Sequence, residues 1–442
     1  MIRAWFIGFI GIFICCSAFA KLTIQITRGV DKPYPVAIVP FVKTSAQAFE
    51  MGLDKGLGGV IAADLEMSGR FALMPTRQMP NQPHELANFS WSTWHHADPD
   101  LEYVLLGQIQ AGQKPKTYTV KFQLVSMPGS RPLIGKIYRD IPARELVALA
   151  HHISDLVYQA ITGVRGVFST RLAYVVVLHP DSRNPTYELV ISGADGLNRH
   201  VLLAQQGCPI ASPVWSPDGR QLAYVSYQYN RMTVYAITLA TGKRSFIARF
   251  PGINSAPAWS PDGKTMALAL SMGHSSRTNL YLMNLATHQL TKLTSFGNNT
   301  SPVWSPDGQN LLFNSNRGGS PQIYQLNLKT RQVSRITYQG VQNFDPAYLP
   351  NGREVVVMHQ SHHGVPIRIA KINLSNDELQ VITPGELDKS PSVSPNGQMV
   401  IYANYDRPHG ILAETSIDGR IRLILPATQG TVQSPAWSPF LT

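Results

Sequence analysis

Short runs of alternating hydrophobic and polar residues, separated by turn residues, fill the second half of this chain. One set of runs covers residues 221–227, 233–240 and 245–249, and a similar set follows at 265–271, 279–285 and 290–294. A period of two residues is typical of β-strands that bury one face. The second half is therefore predicted to be all-β.

One motif recurs just before each set of strands. It reads SPVWSPDG, APAWSPDG, SPVWSPDG, DPAYLPNG, SPSVSPNG and SPAWSP, beginning at residues 212, 256, 301, 345, 390 and 434. The regular spacing of about 44 residues indicates an array of repeats. The SPDG segment favours a turn, because Pro fixes its own φ, Asp bonds the following backbone and Gly tolerates a positive φ. Four strands per repeat predict the blade of a β-propeller.

The ends of the array predict the number of blades. Residues 170–206 contain three strand patterns that lack a first strand, and residues 434–442 form a first strand with nothing after it. Five whole repeats and this split repeat predict a six-bladed β-propeller of the WD40-like type over residues 166–442. We expect the C-terminal strand to close the ring, because closure removes the exposed sheet edges.

Residues 34–165 contain no copy of the repeat and mix strand and helix patterns. Residues 56–69 predict a helix that ends at Gly69, and residues 143–163 predict a long amphipathic helix that ends at Gly163. Strands are expected at residues 35–41, 70–74, 102–110, 118–126 and 132–140. This segment is predicted to be an α/β domain that buries its own core, joined to the propeller at residues 163–166.

The N-terminus has the pattern of a cleavable signal peptide over residues 1–20. Arg3 precedes an apolar run from Ala4 to Ile14, and small residues flank Phe19 before Lys21. A lipoprotein signal or a retained membrane anchor fits less well, because no small residue precedes the cysteines and the apolar run is short. Cleavage leaves Cys208 as the single cysteine, so no internal disulfide is expected. Loss of Arg3 lowers the formal net charge from +11 to +10.

Residues 21–33 are predicted to be a mobile N-terminal strand and hinge. Leu22, Ile24 and Ile26 alternate with Thr23, Gln25 and Thr27, so this strand has one apolar face. It has no evident hairpin partner. It therefore either docks on its own protein or adds to the edge of another. The alternative is an ordinary first strand of the α/β domain.

The sequence contains no recognisable catalytic or metal-binding pattern. Gly-x-Ser-x-Gly, HExxH, Walker and CxxC motifs are absent, and we expect no enzyme activity, cofactor or metal. The Lys and Arg residues are scattered singly, so nucleic-acid binding is not expected. The net positive charge either attracts acidic partners or only keeps the protein soluble. The repeated Asp218, Asp262 and Asp307 are predicted to form turns, and Trp215, Trp259, Trp304 and Trp437 to pack within or between blades.

The combination of these features resembles the TolB family, the periplasmic propeller proteins of the Tol-Pal system. The resemblance rests on the SPDG repeats, the closing SPAWSPF, the alternating strand after the signal peptide, PVAIVPF at 35–41 and RLAYVVV at 171–177. It implies a non-enzymatic adaptor that works in outer-membrane integrity and in constriction at cell division. The implied partners are the lipoprotein Pal, TolA and, as further candidates, other outer-membrane lipoproteins and bacteriocins. The segment implied to bind TolA comprises Lys21, Leu22, Thr23, Ile24, Gln25, Ile26 and Thr27.

The repeats also predict which propeller face binds partners. Near-identical turns occupy one face, whereas the blade connections on the other face differ in sequence, and specificity requires differences. Asn254, Asn299 and Asn343 each lie three residues before a motif proline, which predicts an arc of amides at the mouth of the ring or ordinary turn residues. The resemblance adds Ile253, Ala256 and Thr300, although Ile253 replaces an expected polar residue. The candidate Pal-binding residues are Ile253, Asn254, Ala256, Asn299, Thr300, Asn343 and Phe344.

Two other classes of function remain open at this point. A propeller lyase or hydrolase requires a cluster of ionisable residues in the channel. A peptidoglycan- or sugar-binding module requires exposed aromatic residues on the loops, for which Phe344 is the one candidate.

Overall fold

The computed structural model describes residues 23–26, 32–43, 56–272, 275, 277–406, 409–426 and 429–441. The expected signal peptide and the candidate TolA-binding residues Lys21, Leu22 and Thr27 lie outside the described residues. The first described element is the strand β1 (Thr23–Ile26).

The α/β domain is built on one mixed sheet. Its strands and helices are β2 (Tyr34–Ile38), β3 (Val42–Lys43), α1 (Gly56–Met67), β4 (Phe71–Leu73), α2 (Trp91–Ala97), β5 (Tyr103–Ala111), β6 (Thr117–Ser126), β7 (Arg131–Pro142) and α3 (Leu146–Thr162). The sheet order is β4-β2-β5-β6-β7, with β3 beside β5. β2 runs parallel to β4 and β5, whereas β5, β6 and β7 form an antiparallel meander. The predicted α/β class is confirmed.

Helices cover both faces of this sheet. α1 and α3 pack on one face, where Leu65 and Ile153 are fully buried among residues of β2, β5 and β6. α2 covers the other face with the fully buried Trp94. The sequence reasoning missed α2 because it is a two-turn helix. Its signal is Ser90, whose hydroxyl accepts a hydrogen bond from the Thr93 amide and so caps the helix.

The remaining strands form six four-stranded antiparallel units. Blade 1 combines β31 (Thr431–Trp437) with β8 (Arg171–Leu178), β9 (Thr186–Gly193) and β10 (His200–Gln206). Blade 2 has β11 (Ile210–Trp215), β12 (Gln221–Gln228), β13 (Arg231–Thr238) and β14 (Arg244–Ala248), and blade 3 has β15 (Asn254–Trp259), β16 (Thr265–Leu270), β17 (Asn279–Asn284) and β18 (Leu290–Lys292).

Blades 4 to 6 repeat the same order of strands. Blade 4 has β19 (Asn299–Trp304), β20 (Asn310–Ser315), β21 (Gln322–Asn327) and β22 (Val333–Arg335). Blade 5 has β23 (Gln342–Tyr348), β24 (Glu354–Gln360), β25 (Arg368–Asn373) and β26 (Leu379–Val381). Blade 6 has β27 (Asp388–Val393), β28 (Met399–Asn404), β29 (Ile411–Ser416) and β30 (Ile421–Ile424). The predicted six-bladed propeller is confirmed.

The C-terminal strand closes the ring as predicted. β31 pairs antiparallel with β8, with Thr431 opposite Val177 and Trp437 opposite Leu172. Trp215 joins blade 2 to blade 1 through a hydrogen bond, because its indole nitrogen donates to the Ala436 carbonyl at 3.1 Å. Trp304 makes the equivalent bond to Ala258 of the preceding blade at 3.0 Å. The predicted packing role of the repeated tryptophans is confirmed for these two residues.

Every innermost strand carries the same backbone irregularity. The residue before each motif proline has a φ between 47° and 54°, and the strand register shifts at that point. The six residues are Ser212, Ala256, Ser301, Asp345, Ser390 and Ser434. A left-handed residue in a strand produces a bulge. The bulge explains why the motif keeps small or acidic residues at this position, because bulky side chains fit the left-handed region poorly.

The SPDG segments form turns, as predicted. In the first of them the Ser216 hydroxyl and the Arg220 amide both donate to Asp218 Oδ1, at 2.6 and 3.0 Å. Asp262 and Asp307 repeat this arrangement in blades 3 and 4. The motif aspartates are turn formers.

The α/β domain contacts the propeller face that carries these turns, here called the turn face. Asn396 in the blade 6 turn donates to the Arg165 carbonyl at 2.9 Å, and Arg70 donates to Gln398 at 3.0 Å. Met67 and Val167 join the hydrophobic core between blades 6 and 1. The opposite face, with the blade connections and the second-to-third strand loops, is here called the loop face.

The N-terminal strand does not belong to the α/β sheet. β1 pairs antiparallel with β30, the outer strand of blade 6, with Thr23 opposite Ile424 and Ile26 opposite Ile421. The alternative of an ordinary first strand of the α/β domain is therefore wrong. The strand docks on its own protein by adding to a free blade edge.

Gly69 provides a test of the contact between the domains. It has a φ of 62°, and a Cβ there would lie 2.2 Å from Ile421 Cδ1. Gly163 has a φ of 77° and open space around its Cβ position. Both Gly→Ala changes should lower the free energy of unfolding by about 1 kcal/mol through backbone strain.

Gly69→Ala should cost a further ~1 to 3 kcal/mol, because Ile421 must move. Urea unfolding of both variants measures the difference. Equal losses would show that Ile421 moves to accommodate the added methyl group without a cost in stability.

Candidate functional site

The innermost strands enclose a channel cavity of about 170 Å³. Its walls are the first residues of the six motifs, which are Ser, Pro, Ala and Val with the single carboxylate Asp345. Asp345 accepts a hydrogen bond from the Ser301 hydroxyl at 2.8 Å. Within the described residues, no group of three or more His, Cys, Asp and Glu side chains is arranged to hold a metal ion.

The three predicted amides lie beneath the blade connections and are fully buried. Asn254 donates to the Phe250 and Gly252 carbonyls at 2.7 and 3.1 Å, and its Oδ1 accepts from the Phe250 amide. Asn299 donates to the Phe296 and Gly297 carbonyls at 3.1 and 3.2 Å. These side chains therefore hold the connections in shape.

Asn343 has the same role with different partners. It donates to the Gln339 carbonyl at 2.9 Å and to Gln322 at 2.8 Å, and its Oδ1 is 2.9 Å from His359 Nδ1. The arc of amides is thus present, but it faces its own loops and not the mouth of the ring. All three amides bond backbone carbonyls of the blade connections, as turn residues do, and Asn299 and Asn343 also bond Arg317, Gln322 and His359.

Blade 6 has Asp388 at the position of these amides. Asp388 is fully buried, and its Oδ1 accepts from the Asn404 amide at 2.7 Å. Burial raises the pKa of the Asp388 carboxyl, and the hydrogen bonds to Asn404 and Thr383 offset this only in part. A carboxyl group whose pKa is higher in the folded state than in the unfolded state stabilises the folded protein at low pH, below its unfolded-state pKa. This contribution is lost as the pH rises through the folded-state pKa. At neutral pH the Asp388 carboxylate therefore costs stability.

Asp388→Asn should raise the free energy of unfolding at pH 7 by about 1 kcal/mol, because the amide carries no charge to bury. The gain should shrink as the pH is lowered towards 4, because the wild-type carboxyl becomes increasingly protonated. Thermal unfolding at the two pH values measures both effects. As a control, the reverse change Asn343→Asp should lower the free energy of unfolding at pH 7. A gain from Asp388→Asn that does not depend on pH would contradict the assignment of the effect to the buried charge.

The other candidate Pal-binding residues lie at the surface of the connections or just below it. Ile253 is exposed, and Thr300 and Ala256 are half-buried. Phe344 is also half-buried, and it packs on the hydrophobic cluster of blades 5 and 6. The structure therefore brings Ile253, Ala256 and Thr300 to neighbouring connections of one face.

Several exposed aromatic residues on this face were missed by the sequence reasoning, and one of them, Tyr229 in the β12–β13 loop, is 89% exposed. Phe296 and Tyr338 are each 63% exposed, in the connections that lead to blades 4 and 5. Phe250 occupies the corresponding place before blade 3 and is half-buried. The available signal was an aromatic residue one or two positions before the Gly of each of these connections. Together with Ile253, Phe296 and Tyr338 give the loop face an apolar arc over blades 2 to 5.

The described part of the candidate TolA-binding segment is the β1 strand. Because it lies at the outer edge of blade 6, it is held by pairing with one strand. No helix among the described residues is long and apolar enough to span a membrane.

The fold is that of a two-domain propeller protein. An α/β domain lies on the turn face of the six-bladed propeller, and an N-terminal strand pairs with the edge of one blade. Two family models match the chain: the TolB amino-terminal domain over residues 22–131 and the TolB beta propeller domain over residues 158–441. The chain belongs to the TolB family.

Relatives match over nearly the whole length. The Tol-Pal system protein TolB of Francisella tularensis subsp. tularensis is 38% identical over 438 residues, which cover 98% of each chain. The protein of the same name from Nitrosococcus oceani is 39% identical over 96% of this chain and 94% of its own. The crystal structure of TolB from Acinetobacter baumannii superposes with a TM-score of 0.83 at 35% identity, covering 95% of this chain and all of that one.

Proposed function

We propose that this protein is a non-enzymatic periplasmic adaptor of the Tol-Pal system. It binds Pal on the loop face of the propeller and TolA through residues 21–27, and it serves outer-membrane integrity and constriction at cell division. Family membership and the names of the relatives support the system. The observation that carries the proposal is that β1 docks on a blade edge, separate from the α/β sheet.

The docked strand provides a way for two partners to oppose each other. Four residues of β1 pair with β30, and such a short edge strand is among the elements that open most easily. A partner that adds β1 to its own sheet must first remove it from β30. If Pal favours the docked form, TolA and Pal weaken each other's binding by the same factor.

The loop face suits a protein partner. The α/β domain covers part of the turn face, which leaves the connections with Ile253, Phe296 and Tyr338 accessible. Protein interfaces are enriched in such aromatic anchors. The alternative of a lyase or hydrolase has little support, because Asp345 is the one ionisable side chain among the described residues that line the channel.

The exposed pair Phe296 and Tyr338 gives the sugar-binding alternative more support than Phe344 did. Aromatic rings on a loop face also stack on sugar rings. Sedimentation of the protein with purified peptidoglycan distinguishes this candidate from the adaptor. Co-sedimentation in the absence of Pal would favour it.

The adaptor proposal is tested by calorimetry on the chain from Lys21 with a soluble domain of Pal and a soluble fragment of TolA. Each partner alone should bind with 1:1 stoichiometry. Saturation with Pal should weaken TolA binding by about 5- to 150-fold, the usual range of allosteric coupling. Failure of both partners to bind would refute the adaptor proposal. Unchanged TolA affinity in the presence of Pal would refute the proposal that Pal and TolA weaken each other's binding.

A further inference from the structure

A cavity of about 150 Å³ lies between the α/β domain and the propeller. Both domains build it: Met67 and Arg70 come from the end of α1 and the turn after it, and Glu414, Ile421 and Trp437 come from blades 6 and 1. Its walls are largely apolar. A mostly apolar cavity with a few convergent polar groups is the usual form of a small-ligand site.

Glu414 is the unusual group in these walls. It lies on β29 within the hydrophobic core that blades 6 and 1 share, and it is 4% exposed. Its Oε1 has no hydrogen-bond partner among the described residues. A buried carboxyl group without a partner is costly, and such groups cluster at functional sites.

The charges around Glu414 favour a positive ligand. Asp195, in the turn between β9 and β10, acts on Glu414 as a second negative charge. His151 of α3 lies 3.8 Å from Asp195, but its Nδ1 is engaged by Asp64 at 2.9 Å. The negative charges of Glu414 and Asp195 are therefore only partly balanced by His151.

The two arginines of the cavity have partners of their own. Arg70 donates to Gln398 at 3.0 Å, and Arg420 lies 3.7 Å from Asp418, whose side chain is half exposed. The Arg420–Asp418 pair therefore lies near solvent.

We propose that this cavity binds a small organic cation, a primary alkylammonium whose charge pairs with Glu414 and whose hydrocarbon chain lies against Met399, Ile421 and Leu423. The three apolar side chains all line the cavity. An apolar cavity of about 150 Å³ holds a molecule the size of benzene, roughly six heavy atoms. A four-carbon chain with one ammonium group fits this volume.

The affinity should depend on pH. Burial, reinforced by the negative charge of Asp195, raises the pKa of Glu414 well above its usual value. The ammonium group pairs with the ionised carboxylate, so its affinity increases as the pH rises through the Glu414 pKa. The other titratable and charged groups that line the cavity are Arg70, Tyr158, Asp418 and Arg420, and Asp195 and His151 lie beyond its walls.

Calorimetric titration of the full chain with n-butylammonium tests the site, with butan-1-ol and n-butyrate as probes of equal length. Butylammonium should bind, with an affinity that increases as the pH is raised through the Glu414 pKa, and the other two should bind at least about tenfold more weakly. Glu414→Gln should reduce the butylammonium affinity at least tenfold and abolish its pH dependence. Asp262→Asn, which removes a carboxylate from a turn of blade 3 that does not line the cavity, should leave the affinity within about twofold.

Ala194→Leu provides a second variant that leaves the charges intact. Ala194 lines the cavity, and a larger side chain there should exclude the ligand while the thermal unfolding of the protein stays cooperative. Absence of butylammonium binding to the unaltered protein would overturn the proposal. Equal binding of butan-1-ol, or unchanged binding in Glu414→Gln, would overturn it as well.

Discussion

Deletion of residues 21–27 should abolish TolA binding and leave Pal binding measurable by calorimetry. The deletion removes β1, and with it all of the candidate TolA-binding residues. It should leave the propeller intact, because β1 adds to the outer edge of blade 6 and no other described strand pairs with it. The loss of TolA binding should exceed about 100-fold, since the proposed binding element is absent.

A milder variant separates strand pairing from the loss of the whole segment. Ile24 lies opposite Leu423 in the register of β1 and β30. Ile24→Pro removes one backbone donor and disfavours pairing to either partner, so it should weaken TolA binding without altering the Pal site. Unchanged TolA affinity in the deletion would refute the assignment of this segment, and loss of Pal binding in both variants would mean that the strand stabilises the loop face.

Thr300→Arg should weaken Pal binding by about 30-fold or more. Thr300 is half-buried at the start of β19, between the exposed connection and the channel. A long charged side chain there, next to the connection that carries Phe296, would add bulk and charge to the proposed interface. Substitutions at the centre of an interface commonly cost ~2 kcal/mol or more. Calorimetry with the soluble domain of Pal gives the change in affinity.

Asp307→Ala is the matched control in the same blade. Asp307 lies in the exposed turn at the other end of β19, where it accepts from Ser305 and Gln309 at 2.5 and 3.0 Å. Its loss should lower the free energy of unfolding by about 1 kcal/mol and leave Pal binding unchanged. Equal effects of the two substitutions on Pal affinity would refute the loop face as the binding surface.

The propeller was predictable from the sequence because its turns carry their own signals. Asp218 bonds the backbone two residues later and Gly219 has a positive φ, and both properties belong to the residues themselves. The closure by β31 followed from counting strands. The α/β domain was predictable at its long helices, such as α3, which ends at the left-handed Gly163.

The site was less predictable, because exposure depends on tertiary context. Asn254 and Ile253 are neighbours in sequence, but Asn254 is fully buried and Ile253 is exposed. A polar residue was expected at the surface, but its amide groups satisfy backbone atoms that the connection would otherwise leave unpaired. The docking of β1 on β30 involves residues about 400 positions apart, and no local pattern specifies such a pairing.

The pairing of β31 with β8 also constrains how the protein folds. These strands are about 250 residues apart in the chain, and contacts over such distances form slowly. Blade 1 lacks its innermost strand until the last segment arrives, so one edge of β8 stays unpaired until β31 docks. Such an edge readily pairs with other chains. The whole interval before β31 docks should therefore be the period in which the protein depends most on a chaperone.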